Sequence, residues 1–254
     1  MLKIASAILS VLLITGCTKL PPSIDDRKIQ LTAEEQQYVD THRVVTWALE
    51  DNRPPFSSVN DNGEPEGISI IYLNLISRKT GIVFKPMLVK NFNESFTAVS
   101  TGKIDIITAI RPSPERAVYL NFSVPYVYNA GVFLFRMNSQ PQSPLRAGIS
   151  QGDAVSNYLA FRFPDMKINE TEDSEEAISL LEKGLIDVVV MNEASADYLA
   201  SKSFIRMRKA AADFDYPFSF GVKKDNVILI GILSKALDSI SVDDKKTIND
   251  SWKR

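Results

Sequence analysis

The sequence predicts an α/β protein of two similar lobes that shut like a clamshell. Each lobe is expected to hold a mostly parallel sheet flanked by helices, with two chain crossings between them. Three observations carry this expectation. Strand-like and helix-like runs alternate twice, in residues 43–110 and again in 146–201, and such alternation calls for right-handed crossovers and parallel strands. The halves also echo one another. VSTGKIDIITA (99–109) and LEKGLIDVVVM (181–191) share a helix end, a glycine, Ile-Asp and a β-rich run, so Gly102 matches Gly184 and Asp105 matches Asp187. Finally, two extended segments, FLFRMNSQPQSPLR (133–146) and YPFSFGVKKD (216–225), bracket the second half as candidate crossings.

The first residues read as a leader. Lys3 precedes IASAILSVLLI, an apolar run too short for a comfortable membrane span. ITGC (14–17) resembles the lipobox of bacterial lipoproteins, which implies removal of residues 1–16 and a lipid on Cys17. The plain alternative is an ordinary signal peptide with an incidental cysteine. Cys17 is the one cysteine, so no internal disulfide forms. Residues 17–31 lack periodicity, carry Pro21-Pro22 and read as a tether.

Lobe 1 is expected over 32–136. Thr32 and Glu35 have the spacing of a capping box for a short helix. RVVTWALE (43–50) reads as a strand, and Asn62-Gly63 as a tight turn. Ile68, Ile71, Tyr72, Leu75 and Ile76 share a helical face that Gly81 ends. Strand IVFKPMLV, helix FNESFTAVSTG and strand IDIITAI follow. Their strands are apolar on consecutive residues, as expected where helices cover both faces. Lobe 2 is expected over 137–216, with strand RAGIS, helix GDAVSNYLAFRF, helix SEEAISLLEKG capped by Asp173 with Glu176, strand IDVVVM and helix EASADYLAS. Residues 217–254 return to lobe 1 through helices ILIGILSKALDSI and VDDKKTINDSWK.

Composition excludes several functions. The 29 basic and 31 acidic side chains give a net charge of −2 without a basic stripe, so nucleic acid is not an expected partner. His42, the one histidine, sits in a loop before the first strand, and no nucleophile-elbow, zinc-protease or phosphate-loop motif occurs. The acid pairs lie in the tether or near helix starts, where capping explains them. No metal, cofactor or catalytic residue is expected. The chemistry instead gathers in RPSPERAVYLNFSVPY (111–126), where Arg111 and Arg116 directly follow a buried strand. A guanidinium fork grips carboxylates and phosphates through paired hydrogen bonds.

The stretches VVTWALEDNRPPFSSVNDNGEPEGISIIYLNLI, GKIDIITAIRPSPERAVYLNFSVPY and GLIDVVVMNEASADYL resemble the family 3 extracytoplasmic solute-binding proteins. The likeness is strongest to the Venus-flytrap sensing domains of bacterial sensor kinases, and it runs from about Leu31 to Trp252. It implies a periplasmic-binding-protein-like (type II) clamshell around a small ligand. Arg116 matches the arginine that grips the ligand's anionic group; otherwise it braces its loop. Arg53 stands where an aromatic residue covers the ligand, Phe92 where an aromatic stacks, and Thr108 where a small polar residue makes contact. Arg111 replaces a small hydroxyl residue. Asn192 replaces the carboxylate that holds an ammonium group, and Asp153 stands where hydroxyls make an anion site.

The resulting expectation is a lipid-anchored extracytoplasmic binder of a polar, anionic or amino-acid-like ligand. It would serve a membrane permease or a sensor protein. Arg111 and Asp153 either face the ligand or pair across the cleft. The alternative function is a small lyase or hydratase on the same fold.

Overall fold

The computed structural model describes residues 24–251 apart from residue 142; Cys17 and the leader lie outside these residues. The first half of the chain forms α1 (Ala33–Thr41), β1 (Val44–Glu50), β2 (Asn52–Arg53), β3 (Ser57–Val59), β4 (Pro65–Glu66), α2 (Ile68–Thr80), β5 (Val83–Val89), α3 (Phe92–Ser100), β6 (Ile106–Ile110), α4 (Pro114–Ala117), β7 (Leu120–Phe122) and β8 (Val127–Arg136). The second half forms β9 (Arg146–Ser150), α5 (Ser156–Arg162), β10 (Lys167–Thr171), α6 (Ser174–Glu182), β11 (Val188–Asn192), α7 (Glu193–Lys202), β12 (Met207–Lys223), α8 (Val227–Asp238) and α9 (Val242–Asp250).

Two lobes result, as the sequence predicts. Lobe 1 has the strand order β5-β1-β6-β12-β7 and lobe 2 the order β10-β9-β11-β8-β12. Within each lobe the first three strands are parallel. The strands toward the crossings are antiparallel, because β8 and β12 run in opposite directions between the lobes. The first crossing comes earlier than the 133–146 segment expected for it, since Gly131–Leu134 already pair with β11 of lobe 2. The second is longer than expected. β12 is a 17-residue strand that pairs with β8 from Met207 to Phe218 and with β6 from Ser219 to Val222. Charged residues in MRKAAADFD disguise its first half as loop.

The echo in the sequence has one geometry in both lobes. Gly102 and Gly184 adopt left-handed φ values of 77° and 73°. Each ends its helix with paired capping bonds: Lys103 N donates to the Ala98 carbonyl and Gly102 N to Val99, as Leu185 N does to Leu180 and Gly184 N to Leu181. The following aspartate then ties the third parallel strand to the first. Asp105 accepts from Thr46 N at 2.7 Å and Thr46 Oγ1 at 2.6 Å. Asp187 accepts from Arg146 N and Nε, both at 2.9 Å. The Arg146 hydrogen bond holds the Asp187 carboxyl below its usual range, against a smaller opposing effect of burial.

The Thr32–Glu35 capping box forms at α1. Residues 24–31, expected as tether, lie along lobe 1: Ile24 is buried, Ile29 N donates to the Lys79 carbonyl at 3.0 Å, and Asp26 pairs with Arg78. The closing helices return to lobe 1, where Asn226 before α8 donates to the Tyr38 hydroxyl and Asn249 of α9 accepts from the Tyr72 hydroxyl. Replacing Asp105 or Asp187 by alanine leaves backbone and side-chain donors without their acceptor. Each change should lower the unfolding free energy by about 1–3 kcal/mol in urea titrations, and the two effects should add, because the sites lie in different lobes.

Candidate binding cleft

The carboxyl ends of β1, β6, β9 and β11 meet between the lobes, which is where open parallel sheets place their ligand sites. Glu50, Arg111, Ser150 and Asn192 from these ends line a common cavity. About 80 Å³ of it is open to the centre of a water-sized sphere. The lobes touch directly around it. Asn52 Nδ2 donates to Asp173 at 2.5 Å, Ser195 Oγ donates to the Pro54 carbonyl at 3.1 Å, and Lys90 pairs with Glu172 at 2.9 Å.

Arg116 occupies the centre of this contact. Ser113 caps α4 by accepting from Arg116 N, which fixes the arginine's backbone beside the strand end. The guanidinium donates to the Arg111 carbonyl at 2.5 Å within lobe 1 and to the Gly152 carbonyl at 2.7 Å in lobe 2. It lies over the Phe92 ring, 4.7 Å from the centroid. The residue is 9% exposed, and among the described residues no carboxylate lies within the 4 Å of an ion pair. Burial pushes its pKa down to about 10, with the negative charge of Asp153 opposing that shift.

The other arginines are held differently. Arg53 donates to the Ala109 carbonyl at 2.7 Å and reaches Glu50 at 3.4 Å. Glu50, buried, also accepts from Ser95 at 2.9 Å. Ala109 has a φ of 45°, a strained conformation for alanine. Its amide donates to the Tyr126 hydroxyl at 2.8 Å, so both its backbone groups are held by side chains. Arg111 lies against the Tyr216 and Phe214 rings at 5.0 and 5.8 Å. It forms no ion pair with Asp153 among the described residues. Asp153 accepts instead from Tyr216 Oη at 2.8 Å and Val155 N at 3.0 Å. Burial, then Asp153, raises the Tyr216 pKa well above its ordinary value.

Asn192 faces the cavity but caps α7, accepting from Ser195 N at 2.9 Å and donating to Ser195 Oγ at 3.1 Å. Phe92 lines the cavity beneath Arg116 and within 5.7 Å of Arg53. Of the expected site residues, Arg53, Phe92, Arg111, Arg116, Asp153 and Asn192 come together around this space. Thr108 is buried within β6 and is not part of its lining.

The sequence model of the bacterial extracellular solute-binding proteins, family 3, matches residues 45–254. The chain belongs to this family. Among its relatives, the virulence sensor protein BvgS of Bordetella pertussis (strain Tohama I) is 28% identical over 242 residues, covering 91% of this chain and 19% of the sensor. The chain thus spans about a fifth of that relative's length. The ABC transporter arginine-binding protein 1 of Escherichia coli (strain K12) is 24% identical and covers 82% of this chain and 90% of its own. In structure, the periplasmic VFT2 domain of B. pertussis BvgS superposes with a TM-score of 0.82 at 28% identity, over 88% of this chain and 99% of the domain.

This family 3 protein builds its cleft with residues that the sequence reading passed over. Glu50 was legible as an acid at the carboxyl end of a buried strand. Tyr216 and Phe214 carry only the weak signal of alternating aromatics in DFDYPFSF. Asn52 and Ser195 carry none, because their partners lie across the cleft, and Asp173 is legible only as a helix cap. Gly152 meets the other lobe closely. Its φ is +77°, and a Cβ there would stand 2.9 Å from Asn93 Oδ1 and 3.1 Å from the Phe92 ring. Gly152→Leu should wedge the lobes apart and enlarge the radius of gyration in small-angle scattering. An unchanged radius would mean that the lobes do not meet there in solution.

Proposed function

We propose that this protein captures a small solute with an anionic end outside the cytoplasm, and that capture reports to a membrane partner. The observation that carries the proposal is Arg116: a guanidinium buried where the lobes meet, bonded to both, and without a carboxylate partner among the described residues. A buried cation left in this state is costly, and a ligand anion relieves that cost while adding paired charge-assisted hydrogen bonds. The ligand then stabilises the closed arrangement by contacting both lobes at once. Membership of a solute-binding family and relatives named as a sensor and an arginine-binding protein support this reading.

Whether the output passes to a permease or to a sensor protein follows from the partner, and both kinds of relative occur. The lipobox-like ITGC supports attachment through a lipid on Cys17 to the outer face of a bacterial membrane. The named relatives bind or sense rather than transform, which favours capture over a lyase or hydratase activity.

A thermal-shift screen of small acids, amino acids, polyamines and sugar acids should find compounds that raise the melting temperature. Arg116→Ala should abolish that rise while leaving a folded protein. Full stabilisation in the variant would remove Arg116 from the site. Cys17→Ser should release the protein from membranes or stall its processing, and membrane retention of a processed variant would end the lipid-anchor proposal.

A further inference from the structure

The acids around the cleft are already engaged. Glu50 takes Ser95 and Arg53, Asp153 takes Val155 N and Tyr216, Asp173 takes Glu176 N and Asn52, and Glu172 takes Lys90. Asn192, at the position expected to meet an ammonium group, spends its amide on Ser195. Each of these carboxylates thus already accepts protein donors, and a cationic group entering this space has to share one with them.

The cations divide otherwise. Arg53 has Glu50 as its partner. Arg116 donates only to carbonyls, and Arg111 makes no side-chain hydrogen bond or ion pair among the described residues, resting on Tyr216 and Phe214. The two guanidiniums lie over different rings, Arg116 over Phe92 of lobe 1 and Arg111 over the rings of β12. Negative charge is thus wanted at two points of one cavity. Both guanidiniums line the same cavity, so one short guest can reach both.

We infer that the ligand is a short dicarboxylate without an ammonium group, one carboxylate on Arg116 and the other on Arg111, so that Arg111 sets specificity. This rests on the capture reading above. Planar carboxylates match both guanidinium forks, whereas the ammonium of an α-amino acid has to share a carboxylate with a protein donor. Arginine at position 111 is the departure that turns a site for one anionic group into a site for two.

Calorimetric titration of the full protein with malonate and succinate, against acetate, propionate, phosphate and glutamate, tests this. Malonate or succinate should bind roughly 10- to 100-fold more tightly than the monocarboxylates, the worth of one charge-assisted contact. In Arg111→Thr that ratio should fall to about one, with Arg111→Lys recovering part of it. In Arg116→Ala binding of both classes should be lost. Circular dichroism melts confirm that each variant is folded. An unchanged ratio in Arg111→Thr, or stronger binding of glutamate or phosphate than of either dicarboxylate, overturns the inference while capture through Arg116 stands. Undiminished binding in Arg116→Ala overturns the capture reading itself.

Discussion

A positive charge buried between two bodies, with carbonyls around it and no carboxylate partner among the described residues, is the constraint that the rest of the cleft answers to. Arg116 is fixed from below by the Ser113 cap and by the Phe92 ring, and from the sides by one carbonyl of each lobe. Two carbonyl dipoles and an aromatic face return only part of the hydration that a guanidinium loses on burial. The lowered pKa expresses this deficit. The neighbouring groups are arranged so as not to remove it. Asp153, the nearest candidate, is turned to Tyr216 and to its own loop, and Glu50 is spent on Arg53 and Ser95. The site keeps its electrostatic demand open for something that the chain does not supply.

The lobes can hold such a demand because each is separately well made. In both, a helix ends on a left-handed glycine and an aspartate then clasps the first strand. Separate clusters of buried side chains back the two outer layers, Ala48, Val99 and Ile107 in lobe 1 and Val132, Leu181 and Val189 in lobe 2. A larger cluster is continuous from Trp47 and Phe56 of lobe 1, through Tyr216 and Phe218 of β12, to Ala147 and Val190 of lobe 2. Across the cleft itself the contacts are polar: Asn52 with Asp173, Ser195 with Pro54, Lys90 with Glu172 and Arg116 with Gly152. Polar contacts of this kind permit relative motion of the bodies they join.

The sequence carried the architecture well because its signals are local and repeated. Apolar runs such as IDIITAI, the Thr32–Glu35 box and the Gly-x-Ile-Asp joint each specify their own structure within a few residues. β10 and the first half of β12 were lost, since an edge strand such as KINET and a charged crossing such as MRKAAADFD lack the apolar run that marks a covered strand. At the site, the arginines were legible because charge after a buried strand is conspicuous. Their partners were not. That Asp153 turns to Tyr216, 63 residues away, and that Asn192 closes its own helix, are outcomes of packing which no spacing encodes. Thr108 is the converse case. It has the right composition and position for a contact, yet it lies inside a strand buried at all five positions and outside the cavity lining.

The long strand β12 has a consequence for how the molecule moves. Its pairing with β8 slips between Ala211 and Asp215, and Phe214 from the slipped stretch presses on Gly131, where a Cβ would come within 2.2 Å of its ring. Tyr216 follows immediately and forms a wall of the cavity. The irregular stretch of the strand that joins the lobes and a wall of the cavity are therefore one and the same few residues. In the capture proposed above, an occupant leaning on those rings would bear directly on that stretch, joining occupancy and angle without any relay through the lobes.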